Sequence, residues 1–433
     1  MKRRPRKKEV NEMFVKTNDE TIKKSDYPLI IVTVVLVLFG VLMVYSAGSY
    51  TGERLYGTKF YYVYKQLFGA ALGTAAMIVM SRVNYHVLYK IRYVILGVSI
   101  VLLAIVFIPG VGIENYGARR WINLPFFTIQ ASEVSKFGFI VFAASYIGTR
   151  EDKITKFKGI LPVILVGGVI CVLIILEPNM SVTMCMAMLM IVMLFLGGAK
   201  IRHLLCIILP LVAAAVLLII VEPYRMARLM AFLDPWESPL SEGYQLIQSY
   251  YGLGAGGLFG VGLFNSRQKY LFLPFAESDF IFSVIGEEFG LFGCIAVIAA
   301  YVFMIRRALK VSLGARDRFG SLLCSGIAAI IAIQVIVNIA VVTGSIPPTG
   351  LPLPFISSGS SGLIVFMSSI GVINNVKRNS PKSSELLFVR AKKPKLAKSD
   401  NTNNASDKKA DDAKTPKKRF AFFGRRKTEN FGL

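Results

Sequence analysis

A few ionisable side chains stand out in this sequence because they lie within or beside long apolar segments. An ionisable group near the centre of a bilayer costs about 3 kcal/mol, so each one is a candidate for function or for pairing. The carboxylates are Glu133, Glu177, Asp279, Glu287 and Glu288, and the cations are Lys65 and Lys136. A carboxylate can act as a general base, and a cation can stabilise negative charge on a leaving group. The set therefore offers both a base and cationic charge neutralisation.

Asp279 opens a predicted helix within the sequence Glu-Ser-Asp-Phe-Ile-Phe at 277–282. A carboxylate that caps the helix or matches its dipole is the alternative to a catalytic one there. Glu287 is expected about 12 Å deeper by helical rise, and Glu288 on the opposite face. Neither glutamate is expected to share one site with Asp279 through this helix alone.

Other side chains form no familiar catalytic or metal-binding pattern. His86 and His203 fall near predicted cytoplasmic helix ends, so no Ser/His/Asp triad is expected. The five cysteines lie inside apolar segments without paired spacing, which favours neither disulfides nor a zinc site. Glu133 and Lys136 are three residues apart and can pair on one helix face, where a purely structural pair is the alternative to a functional one.

The elements that must position these residues are long apolar segments. The chain is 54% hydrophobic with a mean hydropathy of +0.56 over 433 residues, which indicates lipid as its solvent. A helix needs about 20 mostly apolar residues to cross a bilayer. Ten such windows are predicted, at approximately 28–48, 62–82, 92–109, 132–149, 158–176, 180–198, 203–221, 279–305, 320–343 and 359–376. The sequence predicts an all-α polytopic membrane protein of about ten transmembrane helices, with a long extracytoplasmic loop between helices 7 and 8.

The distribution of positive charge predicts that both termini are cytoplasmic. With that orientation the inner loops carry fourteen Lys and Arg residues and the longer outer loops only eight. The basic N-terminal segment 1–27 precedes a full-length apolar segment, which indicates a retained anchor. Residues 28–376 form the membrane domain. The C-terminal segment 377–433 has seventeen Lys and Arg against six Asp and Glu, and is interpreted as a disordered arm near anionic lipid or a solvated tail, with no nucleic-acid role.

The outer loop at 222–278 is too long and too rich in aromatic residues and glycine for an ordinary connection. This composition suits an interfacial, partly re-entrant segment. Its cations are Arg225, Arg228, Arg267 and Lys269, which would suit an anionic phosphate group or form ordinary surface charge. Two further outer elements are Gly-Ala-Arg-Arg-Trp-Ile-Asn-Leu at 117–124 and a rigid proline-rich turn at 347–359.

Eight stretches together make the chain closely resemble the SEDS family of FtsW, RodA and SpoVE proteins. They are GARRWINL at 117–124, QASEVSKFGFI at 130–140, EPN at 177–179, GYQLIQS at 243–249, GLGAGGLFGVGL at 252–263, SRQKYLFLP at 266–274, ESDFIFSVIGEEFG at 277–290 and TGLPLPFISSGSSG at 349–362. The resemblance covers about residues 28–376. The sequences at 266–274 and 349–362 are most like those of the FtsW and SpoVE branch.

The resemblance implies roles for particular residues. Asp279 matches the family's essential carboxylate, Glu133 and Lys136 match polar residues of a central cavity, and Trp121 matches an important outer-loop tryptophan. The chain departs from the family's pattern at three places. Asn179 stands where the family often has aspartate, and Ser358-Gly359-Ser360 stands where it often has Tyr-Gly-Gly. Glu277 stands where the family commonly has the histidine of His-Thr-Asp, while the aspartate is kept as Asp279. Asn179 excludes a carboxylate role at that position.

The resemblance also implies an activity, peptidoglycan glycosyl transfer from lipid II during division or sporulation, with release of undecaprenyl pyrophosphate. Asp279 would be the general base or would hold a divalent cation, Mg²⁺ or Mn²⁺, and no organic cofactor is expected. The cations expected to bind the substrate are Lys136, Arg119, Arg120, Arg267 and Lys269. A class B penicillin-binding transpeptidase and other division-complex membrane proteins are the implied partners, at the septum of the bacterial plasma membrane.

Two other classes compete with the enzyme. A lipid II flippase would need polar groups on both leaflets and two repeats, whereas the charges here cluster outward and no repeat is visible. A recruiting scaffold would explain the basic tail but not a carboxylate beside an aromatic, cationic outer surface.

Overall fold

The computed structural model describes residues 24–115, 118–123 and 128–381. Residues 1–23 and 382–433, which hold most of both predicted basic tails, lie outside the described residues. The helices are α1 (Tyr27–Tyr56), α2 (Tyr61–Arg82), α3 (His86–Lys90), α4 (Arg92–Ile105), α5 (Ala131–Gly148), α6 (Glu151–Ile154), α7 (Phe157–Leu176), α8 (Met180–Leu196), α9 (Ile201–Val221), α10 (Pro223–Leu233), α11 (Tyr244–Gly256), α12 (Ile281–Leu313), α13 (Arg318–Val342) and α14 (Ser360–Arg378).

Each of the ten predicted windows is a helix, and the helical membrane fold is confirmed. Six helices, α1, α2, α7, α9, α12 and α13, are long and apolar enough to cross a membrane by themselves, and α4 and α8 are shorter apolar helices. The other two, α5 and α14, carry more polar residues. The number of crossings and the side of each loop stay predictions.

A small antiparallel sheet precedes α5, where no strand was predicted. Its strands are β1 (Gly112–Asn115), β2 (Ala118–Asn123) and β3 (Thr128–Gln130), in the order β1-β2-β3. Trp121 pairs with Ile113 on one side and with Gln130 on the other. Strands this short have no readable alternation of apolar and polar residues, so sequence alone does not reveal them.

The segment 222–278, which is predicted to be an outer loop, contains its own secondary structure. It holds α10, a single 3₁₀ turn at Pro235–Glu237, and α11. Asp234 caps the 3₁₀ turn, since its carboxylate accepts a hydrogen bond from the Trp236 N–H at 2.9 Å. The segment between α11 and α12 lacks regular structure but is packed, because Ser266, Gln268 and Lys269 within it are buried.

Helix α12 is broken at Gly290, which has φ 66° and ψ −162°. In an unbroken helix the N–H groups of Leu291 and Phe292 would bond to the carbonyls of Glu287 and Glu288. Here these N–H groups donate to the carbonyls of residues 257 and 258, and the two glutamate carbonyls accept from the N–H groups of residues 261 and 262, at 2.9–3.2 Å. The glycine-rich segment 257–262 therefore satisfies the backbone that the break exposes, as an apolar surrounding requires.

Glycines also set the closest helix contacts in the core. A Cβ on Gly371 of α14 would lie 2.4 Å from the Met77 carbonyl oxygen of α2, and one on Gly40 of α1 would lie 2.5 Å from that of Phe355. Such approaches are typical of helix packing in membranes, where small residues let backbones meet. They tie α1 and α2 to α14 and to the proline-rich turn before it.

An ion pair and a histidine–aspartate contact join helix ends that are predicted to face the cytoplasm. Arg307 of α12 contacts Asp26 at 2.7 Å, and the Asp26 N–H donates to Asn374 of α14. His86 lies 2.7 Å from Asp317, the N-cap of α13. The contact between His86 and Asp317 therefore has a structural role. It is separate in sequence from the candidate carboxylates Glu177 and Asp279.

Candidate active site

Asp279 lies two residues before α12, in a segment fixed by α13 and by the proline-rich turn. The Asn338 amide donates to the carbonyls of Asp279 and Leu351, at 2.7 and 2.8 Å. The Ser278 hydroxyl donates to Asp279 Oδ1 at 2.8 Å, and Oδ2 lies 3.1 Å from where a Cβ on Gly350 would stand. The N-terminus of α12 has no side-chain cap, so this aspartate does not cap its helix.

The predicted rigid turn positions this segment through hydroxyl and amide groups. Ser357 donates to the Ser278 carbonyl at 2.6 Å, and the Ser358 N–H donates to the Glu277 carbonyl at 2.9 Å. The buried Gln66 of α2 in turn donates to the Ser357 carbonyl at 3.2 Å. The turn is therefore a support for Asp279, and Gln66, which sequence reasoning did not single out, anchors it to the bundle.

The surroundings of Asp279 adjust its basicity. Burial raises the pKa of this carboxyl to about 6, while the Ser278 hydroxyl and the positive charges of Arg120 and Arg228 act in the opposite direction. The side chain is partly exposed. A carboxylate with this pKa is mostly ionised at neutral pH yet is a stronger base than an ordinary aspartate.

Arg120 extends from β2 towards the turn between α7 and α8. Its Nε donates to the Glu177 carbonyl at 3.2 Å, and its Nη2 donates to the Pro178 carbonyl. Its guanidinium interacts electrostatically with Glu177, Tyr224, Arg228 and Asp279. The short sheet thus brings one of the two predicted arginines close enough for its charge to act on the candidate base.

Arg228 joins the site from α10. Its guanidinium lies 4.6 Å from the centre of the Tyr224 ring, and its charge acts on Asp279. Arg225, three residues earlier, donates instead to the Leu218 carbonyl at 3.1 Å. Sequence reasoning grouped these two arginines as outer cations, and only the fold distinguishes them.

Glu177 is the buried acid of the site. It is 1% exposed, and neither of its carboxyl oxygens has a hydrogen-bond partner in the part of the chain that the structure describes. Burial raises its pKa to about 8, against the effect of Arg120. Sequence reasoning noted Glu177 as a carboxylate at a helix end, and its burial without a partner is visible only in three dimensions.

Glu133 and Lys136 form the expected pair on α5. Lys136 Nζ lies 2.6 Å from Glu133 Oε1, both residues are 2% exposed, and Glu133 Oε2 has no partner among the described residues. The pair lines a small cavity with residues of α13 and α14, among them Phe366 and Ser369. It forms a second polar cluster, and none of the described contacts joins it to Asp279.

Lys269 and Arg267 lie in the segment held by the glutamates of α12. Lys269 is buried and lies 3.4 Å from Glu288, so its charge is compensated. Arg267 is bound through its backbone N–H to Glu287 at 2.8 Å, while its side chain is exposed. Neither cation is brought to Asp279 by a described contact.

Arg119 and Trp121 are the neighbours of Arg120 on β2. Trp121 pairs with Ile113 and Arg119 with Glu114, so the register between β1 and β2 shifts at Arg120 and the regular alternation of side chains is interrupted there. The side chains of Arg119 and Trp121 are both partly exposed.

The donor set for a divalent cation is incomplete. Within residues 24–115, 118–123 and 128–381, no group of three or more His, Cys, Asp or Glu side chains converges on one point. Two arginines, Arg120 and Arg228, and one further carboxylate, Glu277, act electrostatically on Asp279. These residues do not fit a metal site built by the protein alone.

Comparison with known proteins gives a consistent relationship. Residues 27–382 match the FtsW, RodA and SpoVE family, described as "Cell cycle protein". The probable peptidoglycan glycosyltransferase FtsW of Geobacter sp. (strain M18) is 39% identical over 82% of this chain and 97% of the relative. Stage V sporulation protein E of Bacillus subtilis (strain 168) is 38% identical over 83% of this chain and 99% of the relative.

Solved structures agree with these relatives. A chain from the study "Structural coordination of polymerization and crosslinking by a peptidoglycan synthase complex" has a TM-score of 0.66 and 27% identity, covering 82% of this chain and 98% of that one. The rod shape determining protein RodA of Thermus thermophilus has a TM-score of 0.60 and 25% identity, covering 82% and 97%. The predicted resemblance to the FtsW and SpoVE branch is confirmed, and the chain belongs to the FtsW, RodA and SpoVE family.

Proposed function

We propose that this protein is a peptidoglycan glycosyltransferase that polymerises lipid II during division or sporulation septum synthesis and releases undecaprenyl pyrophosphate. The names of its FtsW relatives support the glycosyltransferase class. The observation that carries the proposal is one carboxylate, Asp279, in a segment held by Asn338 and by the proline-rich turn, with the positive charges of Arg120 and Arg228 acting on it.

Asp279 acts as the general base in this proposal. The 4-hydroxyl of an acceptor GlcNAc attacks C1 of a donor MurNAc, and the hydroxyl proton passes to Asp279. The bond from C1 to the pyrophosphate oxygen breaks as the new glycosidic bond forms, the configuration at C1 inverts, and the pyrophosphate leaves with the electron pair. At a pKa of about 6, about nine-tenths of the Asp279 carboxyl groups are ionised at pH 7 and ready to accept that proton.

The leaving pyrophosphate requires positive charge, and contacts in the structure support some of the candidate cations more than others. Lys136 and Lys269 are buried against Glu133 and Glu288, so each already has a compensating anion. Arg120 and Arg228 act on Asp279 from two different elements. Because guanidinium groups bind phosphate with directed, charge-assisted hydrogen bonds, these two arginines are the first choice for the pyrophosphate.

The other residues predicted to bind substrate are assigned to parts of lipid II other than the pyrophosphate, or to supporting roles. Arg119, Trp121 and the exposed side chain of Arg267 contact the sugar-peptide part of lipid II in this proposal. Glu133 orients Lys136 in the cavity between α5, α13 and α14. Mg²⁺ or Mn²⁺ at Asp279 stays a separate proposal, tested by chelation followed by addition of either ion.

Partners and location follow from the same relationship. The protein is a multi-pass membrane protein, and we propose that both termini face the cytoplasm of a bacterial cell, at the septum. The structural similarity to a chain of a peptidoglycan synthase complex supports a class B penicillin-binding transpeptidase as partner, alongside other division-complex membrane proteins.

The test is polymerisation of labelled lipid II by the purified protein with its partner transpeptidase. Asp279→Asn keeps the shape of the side chain and removes the base, so glycan synthesis is expected to fall by roughly two to four orders of magnitude. Asp234→Asn is the matched control, because Asp234 is exposed and caps a 3₁₀ turn. Wild-type protein that moves lipid II across liposomes without making glycan would support the flippase instead.

A further inference from the structure

The turn between α7 and α8 contains a carboxyl group that the proposed reaction does not use. Glu177 directly follows the last residue of α7, and Asn179 caps α8 by accepting a hydrogen bond from the Val182 N–H at 3.3 Å. The backbone carbonyls of residues 177 and 178 both accept hydrogen bonds from Arg120.

Arg120 is bound by these two carbonyls and not by the nearby carboxyl group. An ionised carboxylate beside a guanidinium forms short, charge-assisted hydrogen bonds, often two at once. The Glu177 carboxyl makes no such bond, and no ion pair within 4 Å includes it in the described part of the chain. A buried carboxylate with no donor is costly, whereas a protonated carboxyl avoids most of that cost.

We propose that Glu177 is a positioning residue that acts through Arg120 and works in its protonated, uncharged form, in which it leaves the guanidinium charge of Arg120 free for an anionic phosphate. This proposal rests on the proposed function, because it assigns the phosphate to the pyrophosphate of lipid II. Ionisation of Glu177 would pair it with Arg120 and weaken the binding of that pyrophosphate.

The elevated pKa of Glu177 agrees with this geometry. A carboxyl whose pKa is raised to about 8 is neutral below that pH and becomes ionised as the pH rises through it. Arg120 is the charged group that faces Glu177, and Arg120 itself faces Tyr224, Arg228 and Asp279. Asp279 titrates at about 6, on the acid side, so an effect above pH 8 is separable from the base.

The experiment compares wild type, Glu177→Gln and Glu222→Gln as complexes with the partner transpeptidase, across the pH range. Glutamine imitates the protonated acid and cannot ionise. Wild-type KM for lipid II is expected to rise roughly tenfold between pH 7 and pH 9.5 through loss of a charge-assisted contact, while KM of Glu177→Gln stays level. Glu222 is exposed at the start of α10, so Glu222→Gln is expected to follow the wild-type profile.

Two results would overturn the proposal. One is a rise in KM above pH 8 that Glu177→Gln shares with wild type, since another group would then be titrating. The other is a Glu177→Gln protein that folds but has lost its activity at every pH, since the ionised carboxylate would then be required. Should this variant fail to fold, the wild-type profile decides alone, and a level KM contradicts the proposal.

A binding experiment tests the role of Glu177 independently of glycan synthesis. The probe is undecaprenyl pyrophosphate in detergent, followed by the fluorescence of Trp121 in a Trp236→Phe background, since the sequence has two tryptophans. Weaker binding above pH 8 in wild type but not with Glu177→Gln supports the role of Glu177 even if no glycan is made. Equal binding at all pH values by both proteins would contradict it even if glycan synthesis proceeds normally.

Discussion

Replacing Gly290 with alanine tests whether the break in α12 is held by the glycine-rich segment 257–262. The backbone at Gly290 has φ 66° and ψ −162°, a region that residues other than glycine avoid. A Cβ there would lie 2.4 Å from the backbone nitrogen of Gly260 and 2.5 Å from the carbonyl oxygen of Leu258. Both contacts are with backbone, so the segment must move away.

The size of the effect follows from the strain and from the hydrogen bonds beside it. The unfavourable φ and ψ cost about 1 to 3 kcal/mol. Displacing the segment also breaks the bonds from Leu291 and Phe292 to residues 257 and 258, at about 1 to 3 kcal/mol for each buried group left unpaired. We therefore expect Gly290→Ala to lower the free energy of unfolding by about 3 to 9 kcal/mol.

The assay is reversible unfolding in mixed detergent micelles, with limited proteolysis of the segment as a second measurement. Gly254→Ala is the matched control, because Gly254 lies within α11 and a Cβ there would contact nothing within 4 Å. Gly290→Ala is expected to unfold earlier and to expose the segment to protease. If both variants unfold together with the wild type, the break does not depend on this packing.

The remaining predictions concern charge. Because Asp279 must be ionised to act as base, kcat/KM should fall about tenfold for each pH unit below its pKa of about 6. Measuring kcat/KM across the acid pH range tests this, and a level profile would contradict it. Arg228→Gln should raise KM for lipid II roughly tenfold. It should also move the acid fall of kcat/KM to higher pH, because a positive charge that favours ionised Asp279 is lost. Arg225→Gln should do neither. Lys136→Met should lower the free energy of unfolding by about 3 to 5 kcal/mol, because it leaves the buried carboxylate of Glu133 unpaired. Adding Glu133→Gln should restore most of the lost stability. Equal stability of the single and the double variant would contradict this.

The helices were predictable because long apolar runs leave few alternatives in a bilayer. Each predicted window is a helix, since the backbone of an apolar segment must satisfy its own hydrogen bonds. The same reasoning could not find the strand that carries Arg120, because β2 has only six residues and its pairing depends on two other short segments. It also could not place the break at Gly290, since glycine within an apolar run is common in membrane helices.

The site was predictable in its residue types and less so in its arrangement. Asp279 was singled out by its position, and the structure surrounds it with the proline-rich turn and Asn338. The choice among cations required tertiary contacts, because Arg225 and Arg228 differ only in what their side chains meet. Lys269 looked like an outer cation in sequence, but folding places it against Glu288 from a different segment.

Glu177 illustrates the same limit for acids. In sequence it is a carboxylate at the end of an apolar helix, a position that is often solvated. Glu177 is buried where β2 meets the α7–α8 turn, and no donor among the described residues reaches its carboxyl group. Such a state depends on what surrounds a group in three dimensions, which no local pattern encodes.

The central claim is that Asp279 removes the proton of the acceptor hydroxyl, and single-turnover glycan synthesis at pH 8 tests it most directly. At that pH the wild-type carboxyl, with a pKa of about 6, is ionised, so the comparison isolates the base from its titration. Asp279→Asn should bind lipid II yet form glycosidic bonds at least about a hundredfold more slowly than wild type and Asp234→Asn. Glycan synthesis by Asp279→Asn at the wild-type rate would contradict the account.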